Sequence, residues 1–95
     1  MRAQVIDDIS EFRELRIAGS IEYRERSDGS LWGIAFVCLC GCGNESYLPM
    51  RGSGRPHEWD WDGNREAPTV SLSIFNTGMP CRWHGWLRAG EWQSC

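Results

Sequence analysis

The sequence lacks several features that would indicate a particular class of protein. It has no lysine, and acids outnumber its arginines, which gives a net charge of −3 at pH 7. Domains that bind nucleic acids normally present a basic surface, so we expect no nucleic-acid partner. No apolar run approaches the about 20 residues that cross a bilayer, so we expect no membrane contact. Acids stand in the N-terminal segment where a signal peptide would be apolar, which predicts a cytoplasmic protein.

The number of cysteines does not suit a disulfide framework. Five cysteines leave one unpaired in any arrangement made only of disulfides. In the cytoplasm, cysteines are kept as thiols or bind metal ions. Metal binding is therefore favoured over disulfides and over buried thiols that serve only in packing.

The length and composition predict one small domain. A chain of 95 residues has room for a single domain, residues 1–95, with a modest core. Such a domain is close to the limit of stability unless something reinforces it, for example a metal ion. Six tryptophans and eleven glycines suit short strands and tight turns better than a helical bundle.

Alternating and apolar segments predict a mainly β fold. Residues 21–26 alternate, residues 27–30 resemble a turn and residues 31–37 are apolar, which is typical of a hairpin. Further strands are predicted at residues 46–50, 58–61, 69–75, 86–88 and 91–93. Short strands at this spacing predict a small antiparallel sandwich or half-barrel of hairpins, held together by a metal site.

The N-terminal segment is ambiguous. Val5, Ile9 and Phe12 recur at a helical spacing, whereas Phe12, Leu15 and Ile17 fit a strand almost as well. Residues 1–19 are therefore expected to form either a helix or an extended arm.

Two groups of residues have the spacing of metal ligands. Cys38, Cys40 and Cys42 are separated by two positions, and in an extended chain such residues point to the same side, about 6 to 7 Å apart. Thiolates so placed can converge on one ion. The Cys81-x-x-His84 pair would supply the remaining ligands from a second loop. Cys95 is either a further ligand or a terminal thiol.

Zinc is the favoured metal, with a cluster as the alternative. Three thiolates and one imidazole form an ordinary structural zinc site. The segment from Cys81 to Gly85 is also similar to the C-x-x-H-G cluster loop of Rieske proteins, but their first loop is C-x-H, whereas Cys38 and Cys40 form C-x-C. A Rieske-like [2Fe–2S] cluster therefore remains the alternative cofactor.

Several segments together resemble an uncharacterised family of small Cys/His metal-binding proteins of bacteria and tailed phages. The matching stretches are Cys38 to Gly43, Leu48-Pro49, Trp59 to Asn64, Pro68 to Ile74, Cys81-x-x-His84, Trp86 to Gly90 and Cys95. The resemblance covers roughly residues 36 to 95. It implies a metal-binding β domain, with Cys42 and His84 as its firmest ligands, followed by Cys81 and Cys95. Some members of that family lie near genes for ubiquitin-like modification, which implies an accessory role.

The tryptophan pair Trp59 and Trp61 offers a second possible site. The two side chains fall on one face of a predicted strand, where they could stack on a sugar or a base, although packing against the core is the commoner role. Cys81 and His84 could in principle form a nucleophile and base, but no third orienting residue is apparent and metal ligation is simpler.

These observations predict a function that is not enzymatic. The leading hypothesis is a zinc-stabilised interaction or accessory module of phage or bacterial origin, whose partner is another protein. The alternatives are a Rieske-like electron-transfer protein and an aromatic-platform binder that uses Trp59 and Trp61. No catalytic role is assigned to any residue.

Overall fold

The computed structural model describes residues 1–75 and 83–94, which form three small β-sheets and one short helix. The first sheet has four strands, the second two and the third three. The prediction of a mainly β fold of short antiparallel hairpins is confirmed, and the sheets do not close into a barrel within the described residues.

The N-terminal segment contains both of the structures that its sequence allowed. Strand β1, Gln4–Val5, pairs in parallel with the start of the next strand, and helix α1, Ile9–Leu15, follows it. Asp8 caps the helix, because its carboxylate accepts a hydrogen bond from the backbone N–H of Ser10. Phe12 is fully buried, which fixes the helix against the sheet.

The predicted first hairpin is present and extends into a third strand. It consists of β2, Ser20–Glu25, and β3, Leu31–Val37, and β4, Glu45–Pro49, pairs with the other edge of β3. Strand β3 lies between two neighbours and is almost completely buried, which explains its nearly continuous apolar sequence.

The predicted strand over residues 69–75 is interrupted. Val70–Ser71 forms β6, which pairs with β5, Asp60–Trp61, whereas Ile74–Phe75 forms β7 in a different sheet. The interruption occurs at Leu72, whose φ of 73° is incompatible with an extended strand. The chain therefore changes sheets at this residue.

The third sheet contains the predicted final hairpin. Strand β8, His84–Arg88, pairs with β7 on one side and with β9, Glu91–Ser94, on the other. The indole of the buried Trp92 donates a hydrogen bond to the carbonyl of Gly19, 2.8 Å away. This bond ties the third sheet to the first.

One main hydrophobic cluster is shared by the sheets. Its buried members include Ile21 and Phe36 from the first sheet, Val70 from the second, and Ile74 and Leu87 from the third. The part of the chain that the structure describes contains no helix that is both long enough and apolar enough to cross a membrane.

Candidate functional site

The cysteine cluster lies in the connection between β3 and β4. Cys38 immediately follows β3 and is buried, while Cys40 and Cys42 are exposed. The backbone N–H of Cys38 donates to the carbonyl of Asn44 across the base of the loop, at 2.9 Å. Gly41 and Gly43 both have positive φ values, 87° and 79°, which side-chain-bearing residues rarely adopt. The glycines therefore allow the chain to turn tightly enough to bring the thiols together.

The geometry of the three thiols suits one metal ion. Their sulfur atoms all lie within 4.8 Å of one another, and the Sγ atoms of Cys38 and Cys40 are 3.5 Å apart. Thiolates bound tetrahedrally at about 2.3 Å from zinc would be roughly 3.8 Å apart. The predicted convergence of the three cysteines is confirmed, and together they could hold a metal ion.

None of the other predicted ligands is found beside this cluster among the described residues. Cys81 and Cys95 lie outside the described residues, so their ligand roles stay predictions. His84 is described, but its imidazole does not belong to the group of three thiols. It lies on β8, stacked on an aromatic ring, and its predicted ligand role also stays untested.

The surroundings of His84 are aromatic. Phe75 is its cross-strand partner, and the two ring centroids are 4.9 Å apart with an interplanar angle of 15°. The centroid of Trp86 lies 6.2 Å from that of the imidazole. Ile74 and Leu87 point into the core, so alternation places His84, Phe75 and Trp86 on the outer face of the third sheet.

Ser73 lies immediately before β7, next to this aromatic face. It is exposed, it follows the kink at Leu72, and its carbonyl accepts a hydrogen bond from the indole of Trp59 at 3.3 Å. Ser73 precedes Phe75 by two residues, and Phe75 is the cross-strand partner of His84. Alternation along an extended chain would direct the Ser73 side chain toward the same sheet face as Phe75.

Three other serines donate hydrogen bonds to carboxylates. Ser71 donates to Asp60, Ser53 donates to Glu58 and Ser30 donates to Asp28.

The pKa of each of these carboxyl groups is lowered. The Arg51 guanidinium, which is hydrogen-bonded to Asp60, lowers the pKa of that carboxyl. The backbone N–H of Gly54 lowers the pKa of Glu58, and the Ser30 hydroxyl lowers the pKa of Asp28. A carboxylate with a lowered pKa is a poor general base near neutral pH, so these contacts do not activate a serine.

Trp59 and Trp61 are both half-buried and pack against the main core. The ring of Trp61 lies 5.3 Å from that of Tyr23, and Trp59 donates to Ser73. These contacts account for the pair as packing residues, and their use as a ligand platform stays a prediction.

A family model described as the serine protease of a bacterial ubiquitination-like system (BubE) matches residues 6–95, nearly the whole chain. No curated protein and no solved structure matches the chain.

The family match overturns the expected function. The prediction of a non-enzymatic module was wrong, because the family is described as a protease. An electron-transfer protein and an aromatic-platform binder do not agree with that description either. Short contiguous motifs do not reveal a nucleophile and a base that come from different segments of a chain. The resemblance to the small Cys/His family is a separate matter that this match does not test.

Ser73 was not predicted as a candidate site residue. It was counted only as a position in an alternating strand. The signal that could have revealed it is the expected pairing of residues 69–75 with the strand that begins at His84, one of only two histidines in the chain.

Proposed function

The chain belongs to the family of serine proteases of bacterial ubiquitination-like systems, and on that premise we propose that it hydrolyses polypeptide conjugates formed by such a system. The observation that carries the proposal is the match over residues 6–95. On this proposal the substrate is another protein, and the partner expected from the sequence stays a prediction.

We assign the nucleophile to Ser73 and the general base to His84. A serine hydroxyl is a weak nucleophile unless a neighbouring base removes its proton. His84 lies on the same sheet face as the aromatic residue two positions after Ser73. His57, the other histidine, is an exposed loop residue, and the one serine in its loop already donates to Glu58.

The proposed reaction follows the usual two-step course of acyl transfer. The Oγ atom of Ser73 bonds to the substrate carbonyl carbon while its proton passes to the His84 imidazole. The imidazolium then gives this proton to the departing amine as the amide bond breaks. Water, deprotonated in turn by His84, hydrolyses the acyl-enzyme and restores the Ser73 hydroxyl.

The assignment can be tested with a fluorophosphonate, which bonds to an activated serine with loss of fluoride. We expect one adduct per chain, and its position is determined by mass spectrometry after proteolysis. Ser73→Ala and His84→Gln should each abolish labelling. Ser71→Ala is the matched control, since Ser71 lies two residues away but contacts Asp60, and it should be labelled like the wild type. An adduct on Ser53, or labelling that survives Ser73→Ala, would overturn the assignment.

The cysteine cluster is proposed to hold a structural zinc ion. Cys38, Cys40 and Cys42 supply three sulfur ligands with fitting separations. We assign the fourth ligand to Cys81 or Cys95, since His84 is assigned to proton transfer. A closed site of four thiolates has no open position for substrate, so the ion would hold the β3–β4 connection and take no part in the chemistry.

A further inference from the structure

Among the described residues, the imidazole of His84 contacts aromatic rings. Within residues 1–75 and 83–94, no carboxylate or carbonyl accepts a hydrogen bond from its ring nitrogens. In many serine proteases a buried aspartate performs this function: it holds the imidazole in the productive orientation and stabilises the imidazolium. If His84 acts as a base, another contact has to perform both tasks.

Phe75 makes the closest aromatic contact to this ring. The two rings are nearly parallel, at 15°, with their centroids 4.9 Å apart. The ring of Phe75 is not in the core: the residue is 52% exposed, whereas its neighbour Ile74 is 1% exposed. Phe75 therefore covers one face of the imidazole, whereas both nitrogens lie on the edge of that ring.

We infer that Phe75 is the positioning residue of the proposed protease, holding the His84 imidazole by ring stacking in place of a hydrogen-bonded carboxylate. The inference rests on the proposed function. Stacking restricts rotation of the imidazole, so its nitrogens stay directed along the sheet face that Phe75 occupies, two residues after Ser73.

The stack also acts on the charge that develops during the reaction. When His84 takes the proton from Ser73, the imidazole becomes a cation lying over the face of Phe75. The negative face of an aromatic ring attracts a cation at this distance. The contact is therefore stronger after proton transfer than before it, which is what lowers a barrier.

The experiment measures the rate of fluorophosphonate labelling at Ser73 in Phe75 variants. Phe75→Leu keeps an apolar side chain but removes the ring, and we expect labelling to slow about 10-fold or more. Phe75→Tyr keeps the ring and should label within about 3-fold of the wild type. Phe75→Met, a second non-aromatic variant, covers the case in which the leucine variant does not fold. Leu15→Ala is the control and should label like the wild type, because it shortens an apolar side chain of similar exposure on α1, away from the stack.

A second readout reports the stack itself. The Phe75 ring current shifts the ring-proton NMR signals of His84 upfield, and this shift should disappear in Phe75→Leu and persist in Phe75→Tyr. Slower labelling together with the lost shift supports the inference. Wild-type labelling in folded Phe75→Leu and Phe75→Met overturns it and leaves the proposed function intact. Failure of the wild type to label at Ser73 removes the proposed function, and the inference with it.

Discussion

At the scale of single residues, Tyr23 shows how burial and a hydrogen bond set the response to pH. Burial raises the pKa of Tyr23 to about 12, although the nearby Arg65 charge acts in the opposite direction. Its hydroxyl donates to the carbonyl of Arg65 at 2.9 Å. Because the folded-state pKa lies above the usual value of 10.0, this group contributes stability below about pH 10, which is lost as the pH rises through about 12.

Tyr23→Phe should remove that alkaline response. We expect the free energy of unfolding near pH 7 to fall by about 1 kcal/mol, since one hydrogen bond is lost without loss of the ring. Denaturant titrations at neutral pH and at about pH 11 measure the difference. The difference in the free energy of unfolding between the wild type and the variant should narrow as tyrosinate forms. Tyr47→Phe is the control, and an equal narrowing in that variant would contradict the role of Tyr23.

The conformation of Leu72 could not be predicted from the sequence. Alternation of apolar and polar residues over 69–75 predicts one strand, and the pattern contains no sign of a positive φ. Glycine or asparagine would have signalled the break, whereas leucine rarely adopts this conformation. A strained residue next to an assigned nucleophile is where such a conflict between local preference and structure is expected.

At the scale of elements, Glu45 joins three of them. It lies at the start of β4, and its carboxylate accepts hydrogen bonds from Arg13 of α1 at 3.2 Å and Arg24 of β2 at 3.1 Å. Partial burial raises the pKa of Glu45, but the two guanidinium groups outweigh it, and the net pKa is lowered. The ion pairs therefore contribute stability above the unfolded-state pKa near 4.5, and that stability is lost as the pH falls through the folded-state pKa.

Glu45→Gln should reduce stability at neutral pH but not in acid. We expect a loss of about 0.5 to 1 kcal/mol at pH 7, because the pairs are only partly shielded from water. As the pH falls through the folded-state pKa of Glu45, which lies below 4.5, the wild type loses the same interaction, so the two proteins should converge. Thermal unfolding measured from pH 7 into acid, at low and at high salt, tests this convergence of the two proteins. Glu14→Gln provides the control, because Glu14 lies on an exposed part of α1 and makes no ion pair with the described residues. A constant difference at every pH would contradict the electrostatic explanation.

The elements that the sequence predicted best are those formed by local contacts. The hairpins β2–β3 and β8–β9 have short turns, and their strands pair with the next segment in the chain. The short helix and the two-residue strands β1, β5, β6 and β7 depend on partners that are separated from them by more than a short turn. The parallel pairing of β1 with β2, for example, is not expressed in the sequence around Gln4.

At the scale of the whole molecule, the same distinction separates the two parts of the candidate site. Cys38, Cys40 and Cys42 lie within one loop, so their convergence could be predicted from spacing and the accompanying glycines. Ser73 lies just before β7 and His84 begins β8, and only the pairing of β7 with β8 relates them. The metal cluster was therefore visible in the sequence, while the proposed catalytic pair was not.

Removal of the metal should affect the stability of the whole domain because of where the cluster lies. It is attached to the end of β3, the most buried strand, and a domain of this size has a small core. We expect elemental analysis to find about one zinc per chain in a colourless protein. A strong chelator should then lower the unfolding temperature and destroy cooperative unfolding, because metal binding and folding are coupled. Visible absorption bands with bound iron would contradict the zinc assignment.

The chelation experiment also separates a structural ion from a catalytic one. Cys40→Ser should lose metal and stability together, whereas Arg55→Ser, in another exposed loop, should change neither. A structural ion predicts that fluorophosphonate labelling declines only as the fold is lost, so labelling and circular dichroism should follow the same denaturation curve. Loss of labelling in a protein that remains fully folded without metal would place the ion in the reaction. In that case the division between a cysteine cluster that stabilises the fold and a Ser73–His84 pair that carries out the chemistry would be wrong.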